Sequence, residues 1–302
     1  MSYTYKDQLL NNQISRTYYF VKRFARIYPL HLVTLYLAVP ILLIENGTKT
    51  QIFTQPFFAN LFLLQSFGPD RSYFFSGNAL SWSISDELFF YLCFPVLILA
   101  FCRYRWLVSL VLLGACVCII GLMPFFPGRV TEHTIFYINP FVRLVDFTIG
   151  MALFEVFARL KKISFPGLGF ATLLECLAIL LFIVFFYFHD DIPQVFRYSC
   201  YYWAPISIGI LVFAFQAGKL SAFLSYPIFI FLGEISFGFY MFHQLVIRYY
   251  QQLDADFHIT DNVYLAAAIV FFASVILSSV SYFVIEKPAN HAILKKVLKP
   301  KN

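Results

Sequence analysis

Long apolar runs alternate along the chain with short polar connectors rich in lysine and arginine. Runs that can cross the roughly 30 Å hydrocarbon layer of a bilayer fall at about 27–44, 88–102, 106–126, 135–158, 168–188, 199–217, 228–247 and 263–285. This pattern predicts an all-α, polytopic membrane bundle of about eight transmembrane helices, with residues 1–302 as a single domain, since no repeat, low-complexity tract or linker divides them. The connector 45–80 holds an apolar stretch, 56–67, of about a dozen residues, too short to cross. It is expected to lie at the interface or to form a re-entrant hairpin, because a crossing there would move every later connector to the other side.

Composition narrows the class. With 60% hydrophobic, 21% aromatic and 13% charged residues, a soluble domain pair is excluded. The net charge of +6 is spread through the connectors and forms no patch for nucleic acid. With the N-terminus in the cytoplasm, 16 of the 22 lysines and arginines fall in inside segments, among them Lys6, Arg103, Lys162, Lys219 and Lys296. Five, Lys49, Arg71, Arg129, Arg197 and Arg248, fall outside, and Arg143 lies within a run. That asymmetry places both termini in the cytoplasm of a multi-pass protein of the cell's inner or plasma membrane. Residues 1–22 lack the apolar core of a signal peptide, so a later span must direct insertion. The six cysteines show neither zinc-type spacing nor a secreted disulfide pattern. They read as small apolar residues, and no metal site is expected.

Polar residues inside the runs mark candidate chemistry, because each costs roughly 2.5–3.5 kcal/mol to insert. In SWSISDELFFYLCFP, residues 81–95, Ser83 and Asp86 have the spacing of a capping box. Either Ser83 caps an entering helix with solvated acids, or Glu87 at the mouth of an apolar span is a proton-handling group. Arg143, Asp146 and Gly150 share one helix face, where a structural ion pair is favoured over a site. Ser236, Tyr240 and His243 form a stripe with Glu234 one turn before, a packing face or a functional one. In KRFARIYPLHL, Arg23 and Arg26 stand one turn apart ahead of Pro29 and His31. They read as positive-inside anchors or as a guanidinium pair for phosphate.

Taken together, KRFARIYP, SWSISDELFFYLCFP, NPFVRLVDFTIGMAL, ISFGFYMFHQLVI and SYFVIEKPA resemble, in order and spacing, the segments of the acyltransferase-3 family of integral-membrane O-acyltransferases. The likeness runs from Met1 to Ala289. It implies transfer of an acyl group, usually acetyl, from cytoplasmic acyl-CoA to a hydroxyl of a cell-surface glycan. Acyl-CoA would then be a donor substrate and not a permanently bound cofactor. On this resemblance Arg23 and Arg26 match the basic motif of the acyl-CoA side, inside. Glu87 matches the acid after Ser-Trp-Ser, toward the outside where glycans are, and His243 and Glu286 fall in motifs of less defined role. Glu87 and His243 are thus the candidate catalytic residues. Family members also carry two spans ahead of the first motif, one with a histidine proposed as catalytic base. This sequence has neither, so an N-terminally truncated member is expected, with Met1 an internal methionine of a longer frame and His31 or His243 the remaining histidines that could stand in.

The expected partners are acyl-CoA, a surface glycan such as exopolysaccharide or lipopolysaccharide, and membrane lipids. Two other readings stay open: a non-catalytic remnant that binds or scaffolds, and a transporter or flippase of glycan intermediates, against which stands the lack of an inverted repeat. The charge pattern makes one direct prediction: reporter fusions after Lys162 and after Lys301 both report cytoplasm. An external signal from either overturns the topology.

Overall fold

The computed structural model describes residues 1–46, 53–126, 128–162 and 167–297. Lys49, Lys299 and Lys301, used above in the charge pattern, lie outside the described residues, as does 47–52 of the first long connector. Among the described residues the secondary structure is helical throughout, without strands. The principal helices are α1 (Ser2–Leu10), α2 (Arg16–Asn46), α3 (Gln55–Leu61), α4 (Trp82–Arg103), α5 (Arg105–Leu122) and α6 (Pro140–Leu160). They are followed by α7 (Leu168–Tyr187), α8 (Trp203–Ala214), α9 (Lys219–Leu224), α10 (Pro227–Phe257), α11 (Val263–Ser281) and α12 (Lys287–Val297).

Among the described residues six segments are long and apolar enough to cross a membrane: Arg16–Glu45, Ala79–Arg103, Arg105–Phe125, Leu168–Tyr187, Pro227–Phe257 and Val263–Val297. Their apolar side chains are largely exposed, as on α5, where Leu107, Leu110, Val111, Leu113 and Val117 all face outward. Outward apolar faces over a partly polar interior suit a lipid solvent. The two other expected spans take a different form. The fourth does not run unbroken from Ile135: a π-helical turn, His133–Ile138, precedes it, and α6 starts at Pro140. Asn139 caps α6, its side chain accepting from Phe141 N at 3.0 Å and Val142 N at 3.4 Å, and proline at the first helical position loses no hydrogen bond there. α6 has 21 residues, enough to cross, but it carries Arg143, Asp146, Glu155 and Arg159. The sixth is the shorter apolar helix Cys200–Ala214, about 22 Å at 1.5 Å per residue.

The chain folds as two compact units, each assembled from two stretches: Met1–Gln13 with Cys93–Ile230, and Ile14–Leu92 with Phe231–Asn302. In the first unit α7 packs on α8, and α5 and α8 both pack on α6. Arg143 Nη1 meets Asp146 Oδ2 at 2.6 Å, Trp203 Nε1 donates to Asp146 Oδ1 at 2.6 Å, and Arg143 Nη1 also donates to the Tyr198 carbonyl at 3.2 Å. The ion pair expected on that helix face is therefore present, with an indole and a carbonyl completing it. Glu175 on α7 is buried and serves as the N-terminal cap of α9. Its carboxylate accepts from Gly218 N (3.1 Å), Leu220 N (3.0 Å), Ser221 N (3.3 Å) and the Ser221 hydroxyl. A Cβ on Gly218 would collide with that carboxylate. A six-residue helix has few internal bonds, so an acid brought from another helix satisfies amides that would otherwise be left unpaired.

In the second unit α12 packs against α2. α10 is pinned to α2 by Tyr249, whose hydroxyl donates to the Leu37 carbonyl at 2.7 Å, and by Arg248 on Glu45 at 2.6 Å. α10 and α11 approach closely through small residues. Ser274, Ser278 and Ser281 are buried, and a Cβ on Gly238 would lie 3.1 Å from Ser278 Cβ and 3.1 Å from Ser281 Oγ. Close backbone approach through glycine and serine is a common helix contact in lipid. Gly238→Val is expected to destabilise the protein by about 1–3 kcal/mol through overpacking. Gly150→Ala, at a position where an added Cβ meets nothing within 4 Å, should leave stability unchanged or slightly raised. Thermal unfolding of the two variants in detergent checks the contrast.

Candidate active site

The second unit has a polar interior built on its connector. Asn60, on α3, is fully buried. Its side-chain amide donates to the Ser76 carbonyl and to Ser81 Oγ at 3.0 Å, while the Asn60 backbone carbonyl lies 2.9 Å from Nε2 of the buried His31. Gln65 Nε2 donates to the Ser81 carbonyl at 2.7 Å, Ser66 and Ser85 share a bond of 2.6 Å, and Asn78 Nδ2 donates to the Met241 carbonyl at 2.9 Å. The stretch 56–67 is thus two short helical turns with buried polar side chains, in keeping with a segment too short to cross.

These bonds change the reading of the 81–95 motif. Ser83 is not a cap. The chain is already helical from Ala79, in a turn capped by the Asn78 side chain on Leu80 N at 3.4 Å, and Ser83 is the second residue of α4. Its hydroxyl instead lies 2.9 Å from that of Tyr240, which donates to the Leu80 carbonyl at 3.2 Å. The capping box fails because the helix begins a turn earlier than the Ser-x-x-Asp spacing indicates. Asp86 is accordingly neither in the first turn nor solvated but buried, at 3% exposure.

Glu87 and Arg23, separated by sequence onto α4 and α2, meet at Tyr91. The Tyr91 hydroxyl donates to Glu87 Oε1, one turn away on the same helix. The Arg23 guanidinium lies over the Tyr91 ring, 5.3 Å from its centroid, and in electrostatic contact with its hydroxyl. Tyr19, fully buried, donates to the Tyr91 carbonyl at 3.1 Å and so ties α2 to α4 at this level. One tyrosine thus touches both Arg23 and Glu87, the two groups expected toward the inner and the outer side.

The remaining candidates divide between two places. Arg26, exposed, acts electrostatically on Tyr282 and Glu286. There the Tyr282 hydroxyl donates to Glu234 at 2.5 Å, and Lys287 Nζ sits 4.4 Å over the Tyr282 ring. Both Tyr282 and Glu286 belong to a π-helical turn, Tyr282–Glu286, a distortion frequent at functional sites. Arg23 and Arg26 thus serve different surroundings. His243 has Nδ1 3.1 Å from the Phe239 carbonyl and is stacked on the Phe239 ring at 5.7 Å, with Tyr240 as its other aromatic neighbour at 5.9 Å. Tyr91 and Asn60 carry the arrangement and escaped the sequence reading, although Tyr91 stands four residues after Glu87 on one helix face. Among the described residues no group of three or more His, Cys, Asp or Glu side chains converges as a metal site.

Among the described residues, helices long and apolar enough to span, together with a carboxylate, a phenol and a guanidinium gathered in the second unit, define a multi-pass membrane protein with a polar cluster among its helices. The chain belongs to the acyltransferase-3 family, whose model, described as an acyltransferase domain, matches residues 3–284. It is 29% identical over 254 residues to "Acyltransferase MdmB" of Streptomyces mycarofaciens, covering 79% of this chain and 64% of that protein. It is 24% identical over 215 residues to "Putative O-acetyltransferase SACOL0978" of Staphylococcus aureus (strain COL), covering 68% of this chain and 35% of that protein. The chain therefore spans under two thirds of the length of either relative. No solved structure matches it.

Asn60→Leu removes the amide that ties Ser76 to Ser81 in this polar interior and leaves the Ser76 carbonyl without that donor, while the Ser81 hydroxyl keeps Asn78 and Gln65. The expected loss is about 1–3 kcal/mol for each buried group left unsatisfied. It is read as a lowered unfolding midpoint in detergent.

Proposed function

We propose that this chain carries the acyl-transfer site of a membrane O-acyltransferase, moving an acyl group, acetyl by the analogy of the relatives' names, from cytoplasmic acyl-CoA to a hydroxyl of an extracytoplasmic glycan. Residues 1–302 act as one acyltransferase-type domain in the cell's inner or plasma membrane. In that reading α6 and Cys200–Ala214 join the six long apolar helices as spans, and both ends of the chain are cytoplasmic.

The observation that carries the reading is the convergence of Arg23 and Glu87 on Tyr91. A guanidinium suits donor phosphate through its charge and fork geometry, and Arg26, one turn on, extends the same basic motif. Within reach of Arg23 stands a carboxylate that can take the proton of an attacking hydroxyl. The transfer forms a carbon–oxygen ester bond and breaks the thioester carbon–sulfur bond. The hydroxyl proton passes to Glu87 and from there to the departing thiolate, so Glu87 is restored. Tyr91, hydrogen-bonded to Glu87, orients the carboxylate, and His243, beside Tyr240, is the second candidate for handling the acceptor's proton.

The test is acylation of surface glycan in membranes expressing the chain, with its abundance measured alongside. Glu87→Gln is expected to cut transfer by about 10²-fold or more at unchanged abundance, and Arg23→Lys to raise the apparent KM for the donor. Asp86→Asn, at a buried position, should act mainly through abundance. Mild and equal losses for Glu87→Gln and Asp86→Asn would sink the assignment of proton transfer to Glu87.

A further inference from the structure

Within the first unit, α1, α6 and the end of α8 line a half-open cavity of about 600 Å³, inside the roughly 300–1,000 Å³ range of ligand sites. Its walls are phenylalanine, leucine, isoleucine and methionine side chains, including Phe154 and Phe157. The one charged side chain among the described lining residues is Lys161, exposed at the end of α6, where no described carboxylate pairs with it. Gln216, also exposed, forms part of the lining just past α8 and holds a left-handed backbone, φ 51°, a conformation that costs a non-glycine residue on the order of 1–3 kcal/mol. Gly150 opens the wall on the α6 side, since a Cβ placed there meets nothing within 4 Å.

We infer that this cavity is a binding site for an anionic phospholipid, with an acyl chain against the phenylalanines and the headgroup phosphate on Lys161 and the Gln216 amide. An apolar cavity in a bilayer protein is filled at least cost by a lipid chain, and a cation at the mouth adds preference for net negative headgroups. Lys162, next along the chain, strengthens the same field. Gly150 also gains a reason on the Arg143–Asp146–Gly150 face: it contributes nothing to the ion pair and keeps the cavity open. The site is independent of the Arg23–Tyr91–Glu87 cluster and of the acyl-transfer reading.

Native mass spectrometry of the purified full chain in a non-ionic detergent tests this, with phosphatidylglycerol and phosphatidylcholine of identical chains as probes. Wild type is expected to retain phosphatidylglycerol about fivefold better, the effect of roughly one basic side chain at an anionic headgroup. Lys161→Gln should abolish that preference while still binding lipid. Gly150→Leu should lose both lipids, and Ala214→Leu, filling the cavity from another lining position, repeats the test should Gly150→Leu not fold. Equal retention of the two lipids by wild type overturns the inference. So does undiminished retention in a folded cavity-filling variant, or displacement of phosphatidylglycerol by long-chain acyl-CoA at equal concentration, which would make a donor the occupant.

Discussion

Irregular backbone in a membrane protein needs internal hydrogen-bond partners, because hydrocarbon supplies none. That constraint governs the second unit, where the described part of the connector between α2 and α4 is built of short turns and is nonetheless buried in part. Asn60, Gln65 and Asn78 answer it. Their amides satisfy the carbonyls of Ser76, Ser81 and Met241, and Tyr28 adds a bond to the Leu61 carbonyl at 3.2 Å. Gly77 adopts φ +62° where a Cβ would run into the tip of Leu35, so a glycine is favoured there. Because these contacts set where α4 begins, they also set its rotation, and through it the direction in which Glu87 and Tyr91 project.

Much of the architecture is legible from hydropathy alone, since apolar length decides whether a helix can span, and six of the eight expected spans are long apolar helices among the described residues. Where the reading stops short, the reason is a contact between residues distant in sequence. The Ser83–Asp86 spacing is a valid local signal for a helix start. It is overridden because Asn78 caps an earlier turn and Tyr240, from α10, occupies the Ser83 hydroxyl. Glu175 is invisible for a similar reason: an acid within an apolar run looks like an isolated cost, and only the fold reveals the four donors of α9 and its lead-in that it serves. The family motifs mark Arg23 and Glu87 individually, but no spacing rule links a residue on α2 to one on α4, so their meeting at Tyr91 had no signature.

Two charged clusters within the helical units show how a structural pair differs from a candidate site. Arg143 and Asp146 contact each other directly at 2.6 Å, and Trp203 and the Tyr198 carbonyl use further hydrogen-bonding positions. Such a closed arrangement offsets its own desolvation, and breaking it would leave a part-buried charge without its partner. Arg23 and Glu87 are instead joined through a phenol, a group that both donates and accepts. Tyr91 can keep its bond to the carboxylate whether that carboxylate is charged or protonated, by turning its own hydrogen. A closed ion pair has no such freedom, because protonating Asp146 would cost the charge that holds Arg143. The capacity to survive a proton's arrival without rearranging the backbone is what acid–base work demands, and of these two clusters only the one containing Tyr91 has it.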